Sequence, residues 1–262
     1  MIKNTRNMLI LGTLLSTTFL SVGQISADTL SSHSNGTVTF EKSTDGIKVL
    51  DPNDNSKEFT PGTTDGTVNK TDNIDNGLYL SYVPNFNFNT HKVNQIRDKV
   101  FFANTQAEGR PNFVQVSDLR SKNSSKWTLG VSVGAFTNTK NANDKLDGAS
   151  LIFRNMMDQD VTAATNTPVA GPVSLGDKFA SLMNTQNTAA NATSGETVYT
   201  MAADGTSNIL VKATNGTHLL TAGNQSNAAV SVGLYVPKNT QSEATYNSDI
   251  TWTLALAPTA GN

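Results

Sequence analysis

Catalysis needs a nucleophile, a base or metal ligands in a recognisable arrangement, and this 262-residue chain offers few. It has no cysteine, hence no thiol nucleophile and no disulfide framework. Neither Gly-x-Ser-x-Gly nor His-Glu-x-x-His occurs. The five glutamates (Glu41, Glu58, Glu108, Glu196 and Glu243) stand outside any motif. A carboxylate pair for glycosidic cleavage needs only to meet in space, but the reading of this set is non-catalytic. His33, His91 and His218 are scattered without ligand spacing; each is read as a surface histidine, with no metal and no cofactor expected. Asp51 to Ser56 starts like a calcium loop, yet Ser56 and Gly62 stand where Gly and Glu are required, so a polar turn is expected. What remains is binding chemistry. Trp127, Trp252, Phe86 and Phe88 could stack on a ligand or fill a core; alternation favours the core for the tryptophans, and satellite core under a loop is favoured for the phenylalanines. Asp118 and Arg120, two apart on one strand side, could clamp a turn or hold a peptide carboxylate; the structural role is favoured.

The elements that would position these residues are strands. Asn247 to Pro258 alternates cleanly, with Ile250, Trp252, Leu254 and Leu256 on one side and Thr251, Thr253, Ala255 and Ala257 on the other. Lys126 to Val133 repeats the pattern with Trp127, Leu129, Val131 and Val133, and these stretches hold the only two tryptophans. Further strands are expected at 37–40, 47–50, 78–83, 100–102, 112–117, 149–154, 197–201, 208–212 and 228–236. Residues 60–76 and 138–147 read as a loop and a polar turn. The stretch 158–195 has the poorest pattern, and 179–183 fits a small helix or a strand equally well. Many short strands without a long amphipathic helix predict an all-β protein, a single antiparallel sandwich or barrel-like domain with long polar loops.

The N-terminus reads as an export signal: Lys3 and Arg6, an apolar run from Met8 to Val22, and small residues ending at Ala27. Residues 1–27 are therefore expected to be removed, 28–36 to form a flexible lead and 37–262 to form the domain. The remaining 235 residues would carry 17 basic against 21 acidic side chains. That balance gives no electrostatic footprint for nucleic acid. Asn and Thr make up about a quarter of the chain, which suits a hydrated exported surface and also suits turns. The tail from Ala257 to Asn262 has no sorting signal and no apolar anchor, so release or non-covalent retention is expected, not membrane insertion.

Two Trp-x-Leu motifs, Trp127-Thr128-Leu129 and Trp252-Thr253-Leu254, with Tyr246 before the second and Pro258 after it, resemble the WxL domain of surface proteins from low-GC Gram-positive bacteria. Phe113 to Arg120, Leu50-Asp51-Pro52 and Leu80 to Pro84 agree with that resemblance. Ser121 and Lys126 stand where the family often has glycine around the turn leading to the first motif. The resemblance implies a non-catalytic protein held on the cell wall by peptidoglycan or another wall polymer, beside a membrane-anchored surface protein as partner. It names Trp127, Thr128, Leu129, Tyr246, Trp252, Thr253, Leu254 and Pro258 as motif positions. The other functions weighed are an adhesin for host matrix and a secreted glycan hydrolase.

Overall fold

The computed structural model describes residues 35–39, 47–121, 124–169 and 198–257. The chain divides between Glu41 and Lys42, and every strand described belongs to the unit from Lys42 onward. In order these are β1 (Leu50–Asp51), β2 (Asp54–Glu58), β3 (Gly66–Val68), β4 (Leu78–Pro84), β5 (Lys99–Phe102), β6 (Phe113–Asp118) and β7 (Trp127–Val133). There follow β8 (Thr137–Asn138), β9 (Asn141–Lys145), β10 (Ser150–Arg154), β11 (Met156–Asp160), β12 (Thr165–Pro168) and β13 (Val198–Ala202). The last are β14 (Ser207–Thr214), β15 (His218–Ala222), β16 (Val232–Val236), β17 (Tyr246–Asn247) and β18 (Ile250–Leu256). The only helical elements among the described residues are short 3-10 turns at Ala107–Gly109 and Ala228–Val230.

All-β it is, and every strand pairing is antiparallel. A six-stranded sheet runs β12-β11-β15-β6-β4-β3 and a four-stranded one β13-β10-β16-β5. A three-stranded sheet, β14-β7-β18, carries both tryptophans, and none of these sheets closes into a barrel. Period-two alternation sorts side chains between cores. In the four-stranded sheet Phe101, Leu151, Phe153, Met201 and Leu234 enter the main core, while Val100, Ile152, Val198 and Tyr235 form a second cluster on the far side. In the six-stranded sheet Val114, Val116 and Leu220 face the main core. Their neighbours Phe113 and Leu219 join Tyr82, Val49 and Phe59 in a third cluster. The three-stranded sheet adds Trp127, Leu129, Val131 and Val133 to the main core, so all three sheets share it. One residue makes the corner between two of them. Asn155, at φ +51°, separates β10 of the four-stranded sheet from β11 of the six-stranded sheet, a left-handed conformation that asparagine tolerates better than most residues.

Several expectations need correction. Residues 37–39 carry no regular structure, and in the 47–50 stretch only Leu50 joins a ladder. The polar stretch after Asp51 is a hairpin, β1-β2, whose turn is closed by Asn53 N–H donating to Asp51 Oδ1 (2.9 Å). The polar turn at 138–147 holds β9 and the end of β8, and 158–168 holds most of the β11-β12 hairpin. β15 falls between the strands expected at 208–212 and 228–236, where no element is expected. The lead signal at 1–27, the undecided 179–183 and Pro258 lie outside the described residues.

Candidate functional site

The two motif strands are direct neighbours. β18 pairs with β7 without a bulge, placing Leu129 opposite Leu254, Trp127 opposite Leu256 and Val131 opposite Trp252. Residues directly opposite in an antiparallel pair share a face, so the stripes Trp127-Leu129-Val131-Val133 and Ile250-Trp252-Leu254-Leu256 lie on the same side. Their burial differs because β7 is central and β18 is an edge. The β7 stripe is fully buried, whereas Ile250, Trp252 and Leu254 are half-buried and Leu256 is 42% exposed. The motif threonines, Thr128 and Thr253, are on the opposite face, half-buried and exposed respectively. The indoles therefore play different parts.

Trp127 sits in a polar clasp built by four other residues, Gly216, His218, Asp118 and Arg120. Its Nε1–H donates to the Gly216 carbonyl (3.3 Å), and its ring meets His218 edge-on at 5.1 Å. The Gly216 N–H donates to Asp118 Oδ2 (3.2 Å), and Arg120 donates twice to the same carboxylate (2.8 and 2.9 Å). Arg120 also donates to Asp75 (2.5 Å) and to the Ser125 carbonyl (2.8 Å). Its side chain is 3% exposed, so these donors are spent inside the protein and face no external carboxylate. The hydrogen bonds to Asp118 hold the Arg120 pKa above its ordinary value. Burial pushes Asp118 upward, but the Arg120 bonds and charge outweigh it and its pKa falls.

His218, read as a surface residue from sequence, is buried at 3% exposure. Its Nδ1 lies 2.7 Å from Asp158 Oδ1, its Nε2 3.1 Å from the Asn215 carbonyl and 3.7 Å from Asp160. Burial opposes the charged ring; the Asp158 hydrogen bond and charge, the Asn215 carbonyl and Asp160 together outweigh it and raise the pKa. No sequence signal pointed here, because Asp158 is 60 positions away. His91 is exposed, and its ring stacks on Phe101 at 4.2 Å. No cluster suited to hold a metal ion occurs among the described residues.

Trp252 faces elsewhere. It lines an open groove of about 1350 Å³ between the 84–91 segment, the 241–249 segment and the start of β18. Aromatic rings line it and are backed by the core: Trp252 lies 6.4 Å from the buried Phe153, Phe86 5.7 Å from Phe153, and Phe88 edge-on to Phe136 at 6.3 Å. Phe153 and Phe136 are buried, whereas Phe86, Phe88, Trp252 and Tyr246 are half-buried and present part of each ring to the groove. Tyr246, a motif position, donates its hydroxyl to Asp144 (3.0 Å) and accepts from the Ser242 N–H (2.9 Å), which fixes the ring. Amides from Asn85, Asn87, Asn89 and Asn247 stand around these rings. Among the described residues the lining holds no lysine or arginine; Asp249 and His91 are its ionisable side chains there apart from the tyrosine. Aromatic faces flanked by amides and hydroxyls suit stacking and hydrogen bonding to an uncharged polar ligand. Among the described residues they offer no lysine or arginine to neutralise phosphate.

A family model described as "WxL domain surface cell wall-binding" matches residues 27–258. No curated protein and no solved structure matches the chain.

Proposed function

The chain belongs to the WxL domain family, a family of surface cell wall-binding proteins, and from that premise we propose that the groove beside Trp252 is where the wall is held, with the glycan of peptidoglycan as its ligand. The observation carrying this reading is the lining: five half-exposed aromatic rings (Phe86, Phe88, Phe101, Tyr246 and Trp252) and several amides, without a lysine or arginine among the described residues. Sugar rings offer apolar faces for stacking and hydroxyl or acetamido groups for amide bonding. The phosphate-rich polymers of a Gram-positive wall would call for cationic side chains instead. Membership also favours a binding role over catalysis, and nothing in the groove resembles a nucleophile with its base. Work in complex with another surface or membrane-anchored protein is the second part of the proposal, and rests on the family resemblance alone.

The test compares binding to isolated walls before and after teichoic acids and proteins are stripped. Binding should persist on bare peptidoglycan. Trp252→Ala should weaken it by about thirtyfold, on the order of 2 kcal/mol for an aromatic anchor. Trp127→Phe should lower the melting temperature and leave the affinity of the folded protein unchanged. Loss of binding on stripped walls, or equal affinity for wild type and Trp252→Ala, would send the wall contact to another surface.

A further inference from the structure

β18 ends its sheet with an edge that lacks the usual protection. Exposed sheet edges in monomeric proteins are kept from pairing by bulges, charges, proline or short length. β14, at the other edge of the same sheet, has two register shifts and an exposed Lys212. β12 is four residues long and ends in Pro168, and β3 has three residues. By contrast β18 runs seven residues, Ile250 to Leu256, with continuous register, no charge and no proline. The Ala257 N–H donates to the Lys126 carbonyl (2.7 Å) and the Gly134 N–H to the Asp249 carbonyl (2.9 Å). These two bonds fix the phase of the ladder. Thr251, Thr253 and Ala255 turn their peptide groups to β7, and Ile250, Trp252, Leu254 and Leu256 turn theirs outward. Among the described residues those outward groups have no backbone partner.

We propose that this edge pairs with the β18 edge of a second copy of the chain, antiparallel about a two-fold axis through Thr253. One register uses the whole edge: Ile250 opposite the other copy's Leu256, and Trp252 opposite its Leu254. That register satisfies all four outward positions on each strand with about eight hydrogen bonds. It covers Leu256, which is 42% exposed in one copy. It also carries charge complementarity. Asp249 falls opposite Ala257 of the second copy, whose neighbour across the ladder is Lys126. Lys126 and Asp249 are both exposed, on the same sheet face, and neither makes an ion pair within its own chain among the described residues. Two strand spacings separate them, about 10 Å between Cα atoms, a gap a lysine spans over an alanine. The two-fold axis makes two such contacts. The pairing needs no ligand in the groove, although Asp249, Ile250 and Trp252 serve both, and it places two grooves on the same side of a continuous six-stranded sheet.

The chain has no cysteine, so a single introduced thiol reports the register. Residue 253 lies on the axis and meets itself; residue 251 meets residue 255 of the other copy and lies roughly 13 Å from its own mate. Under mild oxidation Thr253→Cys should form a disulfide-linked dimer in high yield, at least about tenfold faster than Thr251→Cys. Both positions are exposed, so neither change should disturb folding. In sedimentation the unmodified protein should show a concentration-dependent dimer. Lys126→Asp should weaken it by about tenfold or more, and Lys126→Asp with Asp249→Lys should restore it. A protein that stays monomeric at all concentrations, cross-linking that does not favour 253, or a dimer indifferent to both charge variants would each overturn the proposal.

Discussion

An imidazole with a carboxylate on one nitrogen and a carbonyl on the other needs a proton on both. That is the situation of His218, between Asp158 and the Asn215 carbonyl, with Asp160 beyond. Its pKa is raised in the folded protein. The stability it contributes is therefore fully present below the unfolded value, about 6.5, and is lost as pH rises through the folded one. Urea midpoints should fall between about pH 6 and pH 9 in wild type. His218→Gln should be less stable at the lower pH and should show a smaller fall. An identical fall in both proteins would assign the pH dependence to other groups. The histidine was illegible in the sequence for a physical reason. Its three acceptors come from β11 and from the turn before β15, and only the folded chain brings them to one ring. The Asp118–Arg120 pair was legible as a clamp because its members are two residues apart, but what it clamps, the Gly216 peptide beneath the Trp127 indole, was not.

At the scale of elements, the same three-letter motif occupies a central strand and an edge strand, and the cost of damaging it should differ accordingly. Leu129 is fully buried in β7, while its cross-strand partner Leu254 in β18 is half-buried. Leu129→Ala should cost about 3 kcal/mol, near the middle of the range for buried leucines, and Leu254→Ala about 1 kcal/mol. Chemical denaturation measures both, and equal costs would mean that β18 is covered in solution as fully as β7. The strands with clean alternation, β7 and β18, were legible because one face is apolar and the other hydroxylated. β15 was not, since all five of its residues are buried and the run His-Leu-Leu-Thr-Ala has no period to detect. β12 fails in the opposite way: all four residues are exposed, so no apolar face announces it. The groove was hidden for a third reason. Phe86 and Phe88 read as core under a loop and Trp252 as core in a strand; roughly 165 positions apart in sequence, they meet only in the fold.

For the molecule as a whole, the balance of forces at the wall follows from a formal charge of −2 and a groove without lysine or arginine among its described residues. A phosphate-rich wall would not attract such a protein at long range, so on the proposed reading retention comes from short contacts. At about 1 M salt the Debye length is near 3 Å, which removes long-range terms and leaves those contacts in place. Protein loaded on isolated walls should survive a 1 M salt wash and come off in urea; complete elution by salt alone would require a basic patch assembled in three dimensions. Following such experiments needs no added label. The chain's two tryptophans are one fully buried against the His218 imidazole and one half-open to a groove. Under excitation the first should emit at short wavelength, resist acrylamide and brighten as His218 loses its proton. The second should emit further to the red and lose its access to quencher when the groove fills. Folding, protonation and occupancy thus have separate optical signatures in the unmodified protein.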